Sequence, residues 1–348
     1  MKPTREERAE PEQPAEPAER GEGDTPARVR VPAQTTGRVQ DPDPEVRPIT
    51  GAEELGLFSR LDYVLNGELA DDLAAGRRRP GWMWVALRGD RLLARAAWWS
   101  RAGSDTPVHL DVFDIADGAP DPDLLDVAER LLRTARAAVL PGGAEPAEYG
   151  RFLPPGWRED AATRQGVEDR MAVLGRTGAR LLVERLRLEW RPGAPIPAGS
   201  GRLGFRPVRD AEELIALMAA VLDAHSRADL ATMTPREAAA AHYEGELAGY
   251  TSPREWWRVA TLPDGDPVGF VLPARNDYNP IIAYIGVLPA HRGHGYVDDL
   301  LSEGTRILAA HDVPRIRAST DLGNTPMARA FARAGYTDFE RTLTMTWS

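Results

Sequence analysis

The chain has 348 residues and no cysteine. That absence removes disulfides, thiolate zinc sites, a cysteine nucleophile and any acyl-cysteine intermediate. Lysine is almost missing too: Lys2 stands alone among 43 basic residues, a bias that reads as the codon usage of a GC-rich bacterial genome. Long apolar runs are lacking. The longest, Leu214 to Leu222, falls far short of the roughly 20 residues that cross a bilayer. The stretch Met1 to Glu10 alternates charges and offers no apolar core for a secretory signal, so a cytoplasmic protein with no membrane partner is expected. No basic run interleaved with aromatics occurs, and a formal net charge of -10 would repel a nucleic-acid backbone.

What is present suggests two domains. The length exceeds one ordinary core, and 42% hydrophobic residues suffice to build two. Residues 1 to 44 are rich in Pro, Glu, Arg and Gly with almost nothing large and apolar, and are expected to form a disordered tail. Beyond them the sequence repeats. Arg47-Pro48-Ile49 with Ala52-Glu53-Glu54-Leu55 returns, 159 residues later, as Arg206-Pro207-Val208 with Ala211-Glu212-Glu213-Leu214. Phe152-x-x-x-Gly156-Trp157 returns as Phe331-x-x-x-Gly335-Tyr336. Each copy also holds a hairpin pattern, turning at Gly89-Asp90 in the first and at Asp264-Gly265 in the second. The expected organisation is a first domain over 45–192, a Pro- and Gly-rich linker over 193–202 and a second domain over 203–348.

In the second copy an apolar strand, Ile281 to Val287, leads into a glycine loop and then a helix with Leu300, Leu301, Ile307 and Leu308 on one side. A glycine loop lets backbone N–H groups approach an anion, and the helix N-terminus adds partial positive charge, so a pyrophosphate is the expected guest. The loop lacks both the Gly-Lys-Ser/Thr ending of a P-loop and the three spaced glycines of a dinucleotide fingerprint.

The segment Val287-Leu288-Pro289-Ala290-His291-Arg292-Gly293-His294-Gly295-Tyr296-Val297 resembles the signature of the GNAT superfamily of N-acetyltransferases, Val-x-Pro-x-x-Arg-Gly-x-Gly-x-Gly/Ala, and departs only at Val297. The resemblance implies an α/β fold with a mixed sheet, repeated here as two tandem GNAT-like domains of the bacterial type. It implies acetyl-CoA as cosubstrate and no metal. The backbone at Val287 and Leu288 would grip the thioester and pantetheine, and the loop Arg292, Gly293, His294, Gly295, Tyr296, Val297 would cradle the pyrophosphate. Asp298 and Asp299 follow in the first helical turn, close to the anion. Asn324, a helix N-cap by pattern, would face the pantetheine as well.

Two family features are absent. The position of the usual proton-donating tyrosine holds Phe331, and that of the usual glutamate base holds Ile281; Tyr336 is expected only to pack. Tyr284 and Asp277 are the candidate catalytic residues, with Tyr278 nearby. His225, His242, Tyr243, Glu244 and Glu246 fall where such folds build an acceptor pocket. In the first copy the corresponding loop, Ala116 to Asp123, carries three aspartates and two prolines, which repel pyrophosphate and remove N–H donors. That half is expected to be degenerate. The expected function is acetyl transfer from acetyl-CoA to a primary amine of a small molecule, by direct attack in a ternary complex. A non-catalytic CoA-binding sensor is the alternative, and the oligomeric state is left open.

Overall fold

The computed structural model describes residues 42–117, 123–140, 142, 148–222 and 233–347. Residues 1–41 of the expected tail, the prolines of the first copy's loop and His225 lie outside the described residues.

The first half runs β1 (Glu45–Pro48), α1 (Leu55–Phe58), α2 (Leu69–Ala74), β2 (Met83–Arg88), β3 (Arg91–Trp99), β4 (His109–Ile115), α3 (Leu124–Val139), β5 (Glu148–Leu153), α4 (Ala161–Arg176) and β6 (Arg180–Trp190). The second runs β7 (Gly204–Pro207), α5 (Ala211–Val221), α6 (Pro235–Gly245), β8 (Arg258–Thr261), β9 (Pro267–Arg275), β10 (Pro280–Val287), α7 (Tyr296–Ala309), β11 (Ile316–Asp321), α8 (Thr325–Arg333) and β12 (Thr337–Thr346). Helices and strands follow in the same order in both halves, so the short sequence repeats mark a repeat of the whole fold. Local chemistry sets the starts. Asp160 and Asp210 accept the amides of Thr163 and Glu213 at the beginnings of α4 and α5, and Thr234 forms a capping box with Glu237 at α6.

All twelve described strands belong to one sheet, ordered β1-β2-β3-β4-β5-β12-β6-β11-β10-β9-β8-β7. Neighbours are antiparallel except β4 with β5 and β10 with β11. Reading inward from either edge gives the same five strands, and then the last strands trade places. The final strand of the second half, β12, pairs with β5 of the first, while β6 of the first half pairs with β11 of the second. The two exchanged strands pair with each other in the middle.

The apolar cores follow that exchange. Leu343 and Met345 of β12 are buried in the first half's core with Trp98, Phe113 and Leu131. Leu186, Leu188 and Trp190 of β6 are buried in the second half's core with Leu300, Ile316 and Phe331. Each half therefore hides a strip of apolar surface from the other.

Both parallel pairs splay. β4 and β5 pair only at His109–Glu148 and Leu110–Tyr149, and β10 and β11 only at Ile281–Arg317, so each pair opens towards the C-terminal end of its strands. These two openings position the clefts described below.

Candidate active site

The second half's cleft has a volume of about 620 Å³ and lies where β10 parts from β11. Along β10 successive amides point to opposite sides. The Leu288 amide donates to the Val268 carbonyl at 2.8 Å, which turns the amides of Val287 and Ile285 towards the gap left by β11. Val287 lines the cleft; Leu288 instead packs among the residues around Phe270, with its amide engaged by β9. Of the two backbone positions expected to grip the thioester, only Val287 has an amide facing the gap.

The loop after β10 owes its shape to two glycines. Gly293 and Gly295 have φ of 81° and 76°, a left-handed backbone that side-chain-bearing residues enter at a cost of about 1 kcal/mol or more. Gly295 is also the N-cap of α7, and no side chain caps that helix. Among the described residues, no hydrogen bond occupies the amides of Gly293, His294 or Gly295. Free amides in the loop and an uncapped helix N-terminus directly after it are a fit for an anionic phosphate ester.

The Arg292 side chain does not reach outward with them. Its guanidinium donates to the Val287 carbonyl at 3.1 Å and the Val221 carbonyl at 3.0 Å, tying the loop to the ends of β10 and α5. The His294 ring folds back over its own loop, with Nδ1 3.0 Å from the Arg292 carbonyl. A further cation at the loop, which no sequence motif points to, is Arg202. It donates to the His294 carbonyl at 3.1 Å and stacks over the Tyr296 ring at 4.7 Å. It lies 92 residues before His294, in the linker, with no motif around it.

The two acids of the first α7 turn are both compensated. Asp298 accepts from Arg333 at 2.7 and 3.2 Å. Asp299 is buried and accepts from the Ser200 amide and hydroxyl at 2.6 and 2.7 Å. Their charges are neutralised or bonded away from the loop, so their repulsion of an anion is weaker than the sequence suggests.

Across the cleft, Asn324 caps α8, its side-chain oxygen 3.3 Å from the Met327 amide, and it also lines the cleft. Phe331 is buried against Tyr336, ring centroids 5.1 Å apart. The Tyr336 hydroxyl is 2.9 Å from the Thr305 hydroxyl, and burial pushes its pKa upward. Neither aromatic lines the cleft.

Tyr284 does line it. Its ring stacks on Phe270 at 5.5 Å and meets the edge of the His242 ring at 5.4 Å. His242 Nε2 has no hydrogen-bond partner among the described residues and lies 3.8 Å from Glu246, whose carboxylate also accepts the Tyr250 hydroxyl. Tyr243 packs in the same cluster, while Glu244 is exposed. Asp277, by contrast, sits in the β9–β10 turn before β10 begins at Pro280, and the four residues of strand from Pro280 to Tyr284 alone span roughly 13 Å at ~3.3 Å per residue. The two candidate catalytic residues are thus separated. Tyr278, beside Asp277, is committed to the first half: its hydroxyl accepts from Trp99 Nε1 at 2.9 Å and donates to Asp72 at 3.1 Å, and burial there pushes its pKa up to about 12.

Among the described residues no three His, Asp or Glu side chains converge as a metal site, and no helix is long and apolar enough to cross a membrane.

Residues 202–337 match the sequence-family profile described as "Acetyltransferase (GNAT) domain". No curated protein sequence gives a match. Among solved structures, the chain is similar to a GCN5-related N-acetyltransferase from Sphaerobacter thermophilus, with 16% identity, a TM-score of 0.55 and coverage of 87% of this chain and 95% of that one. It is also similar to a glucosamine N-acetyltransferase region of a fungal multi-domain GH3 beta-N-acetylglucosaminidase, at 13% identity and a TM-score of 0.51, over 87% of this chain and 38% of that one. A tandem GNAT protein from the clavulanic acid biosynthesis pathway aligns at 16% identity and a TM-score of 0.48, covering 87% and 98%. The first two likenesses show the fold: a mixed α/β fold with the sheet of the GNAT acyltransferases.

Proposed function

We propose that the second half is an acetyl-CoA-dependent N-acetyltransferase acting on a primary amine of a small molecule, in the cytoplasm. The observation that carries this reading is the convergence of a splayed β10–β11 pair with an uncapped helix N-terminus whose preceding loop holds unoccupied amides at Gly293, His294 and Gly295. The profile match over 202–337 supports it.

Acetyl-CoA supplies an already activated thioester. The protein's own residues then orient and polarise. The amides of Gly293 to Gly295, with Arg202 beside them, hold the pyrophosphate, and the Val287 amide donates to the thioester carbonyl, where negative charge grows during attack. On the acceptor side, the His242 imidazole, 3.8 Å from Glu246, takes up the proton of the attacking ammonium or amine through a water that bridges past Tyr284. Tyr284 lies between His242 and the cleft and positions the amine. With the position of the usual donor filled by buried Phe331, the departing thiolate takes its proton from solvent or from the amine itself.

Calorimetry with acetyl-CoA tests the site. One site per chain, lost when Gly295→Glu puts a carboxylate into the cradle, is the expected result; no binding by the folded wild-type protein would sink the proposal. The burial of Phe331 and the distance of Asp277 favour a second reading, a CoA-binding sensor without turnover. Binding of acetyl-CoA with no acetylation across a panel of primary amines would select it.

A further inference from the structure

The first half's cleft, about 890 Å³, opens where β4 parts from β5 and reaches the start of α4. Its floor is a knot of buried charge in which three guanidinium groups surround one carboxylate. Arg95 and Arg151 each approach Asp114 to 2.8 Å and Arg170 to 3.5 Å; Arg151 and Arg170 address the same oxygen. Arg95 donates from Nε to Asp114 and from Nη1 to the Phe58 carbonyl at 2.6 Å, and it does not line the cleft. Arg151 and Arg170 do line it: their side chains are 8% and 10% exposed, and the Nε of each has no hydrogen-bond partner among the described residues. The Tyr149 hydroxyl, buried beside both arginines, has none either. Burial, and after it the neighbouring Arg151, lower the pKa of Arg170, while Asp114 holds that of Arg151 up against burial; three guanidinium groups share one buried carboxylate. Buried cations without matching anions are costly, so a knot of this composition is stabilised by an added anion.

The rest of the cleft narrows what that anion can be. Phe152, Leu153, Val167 and Phe339 give it apolar walls, and Val64 stands 59% exposed at its edge. Among the described residues, the acids that line it are Asp62, Asp117, Asp169 and Glu340. Glu340 is paired with Arg187 at 3.0 Å and Asp169 accepts from Gln165 at 2.9 Å, while Asp62 and Asp117 are exposed. A polyphosphate such as CoA would meet these acids. A single carboxylate reaching the arginine floor would not.

We propose that this cleft is a binding site for a small monocarboxylate with an apolar body, its carboxylate held by Arg151 and Arg170. Because Phe339 and Glu340 belong to β12, the ligand touches both halves of the chain.

The test is calorimetry of the full chain with benzoate, hexanoate and acetate, and with benzylamine as the cationic counterpart of benzoate. At least one carboxylate should bind one site per chain, and benzylamine should not bind. Binding should be unchanged in Gly295→Glu, which alters only the other cleft, and at least about tenfold weaker in Arg170→Met, which removes a charge-assisted donor. Should Arg170→Met fail to fold, Val64→Glu at the exposed edge decides, and it should weaken the carboxylate about threefold or more by repulsion. No saturable binding of any of the three carboxylates, equal binding of benzylamine, loss in Gly295→Glu, or full affinity in whichever of the other two variants folds would each overturn the assignment.

Discussion

The guanidinium of Arg206 donates to both carboxylate oxygens of Glu213, at 3.0 and 2.6 Å. Arg47 and Glu54 make the same fork at 2.8 and 2.7 Å in the first half, so the repeated Arg-Pro and Ala-Glu-Glu strings encode one clamp used twice, fastening an edge strand to the turn that starts a helix. The clamps hold Glu54 and Glu213 down to a pKa of about 2, chiefly through the arginine hydrogen bonds, against an ordinary value of 4.5. A carboxyl held low in the folded state stabilises above its unfolded value, and that contribution disappears as pH falls from about 4.5 towards 2. Melting temperatures of wild type and the Glu54→Gln/Glu213→Gln double variant should differ at pH 7 and converge near pH 2. A constant gap across that range would contradict the assignment.

Arg202 is expected to matter for acetyl-CoA affinity although no motif contains it. Arg202→Ala should weaken binding about three- to tenfold, and the difference should shrink at high salt, as for a partly exposed charge facing an anion. Its melting temperature should stay within a few degrees of wild type. Unchanged affinity at low salt would remove Arg202 from the site.

His242→Ala should lower kcat by about 10²- to 10⁴-fold, the usual worth of a positioned base, with KM for acetyl-CoA little altered, because His242 stands on the acceptor side of Tyr284. A kcat within twofold of wild type would assign the amine proton to water.

Leu343 lies on a strand of the second half and is buried in the core of the first. Leu343→Ala should destabilise the protein by about 2 to 5 kcal/mol, the range for large-to-small core changes. Scanning calorimetry should still show a single transition, shifted down, since both halves depend on the exchanged strands. A profile split into one shifted and one unshifted peak would show that the halves melt independently.

The glycine loop, the hairpins and the repeat were legible in sequence because each is written in neighbouring residues: left-handed turns need glycine at Gly293 and Gly295, and the clamp residues lie seven apart. The resemblance to the acetyltransferases rested on that local pattern, and the fold agrees with it. What escaped the sequence is pairing over long distances. β6 and β12 both carry alternating apolar residues and either could close either half, so composition does not say that Leu186 faces Thr320 while Thr342 faces Phe152. Arg95, Arg151 and Arg170 come from two strands and a helix, and nothing in their local surroundings announces that they meet at Asp114. Asp277 shows the opposite case: it is near Tyr284 in sequence, yet it lies in the turn at the start of β10 while Tyr284 lies further along the strand.

The exchange of the last strands also bears on how such a chain can evolve. Were the first half deleted, β11 would lose β6 and β12 would lose both of its neighbours, β5 and β6, leaving three bare strand edges and the apolar faces of Leu343 and Met345 exposed to solvent. Selection on the second half alone is then enough to preserve the first, whatever becomes of the first half's own loop. A duplicated gene in this state is free to lose one ancestral chemistry and acquire another, but it cannot shed the copy.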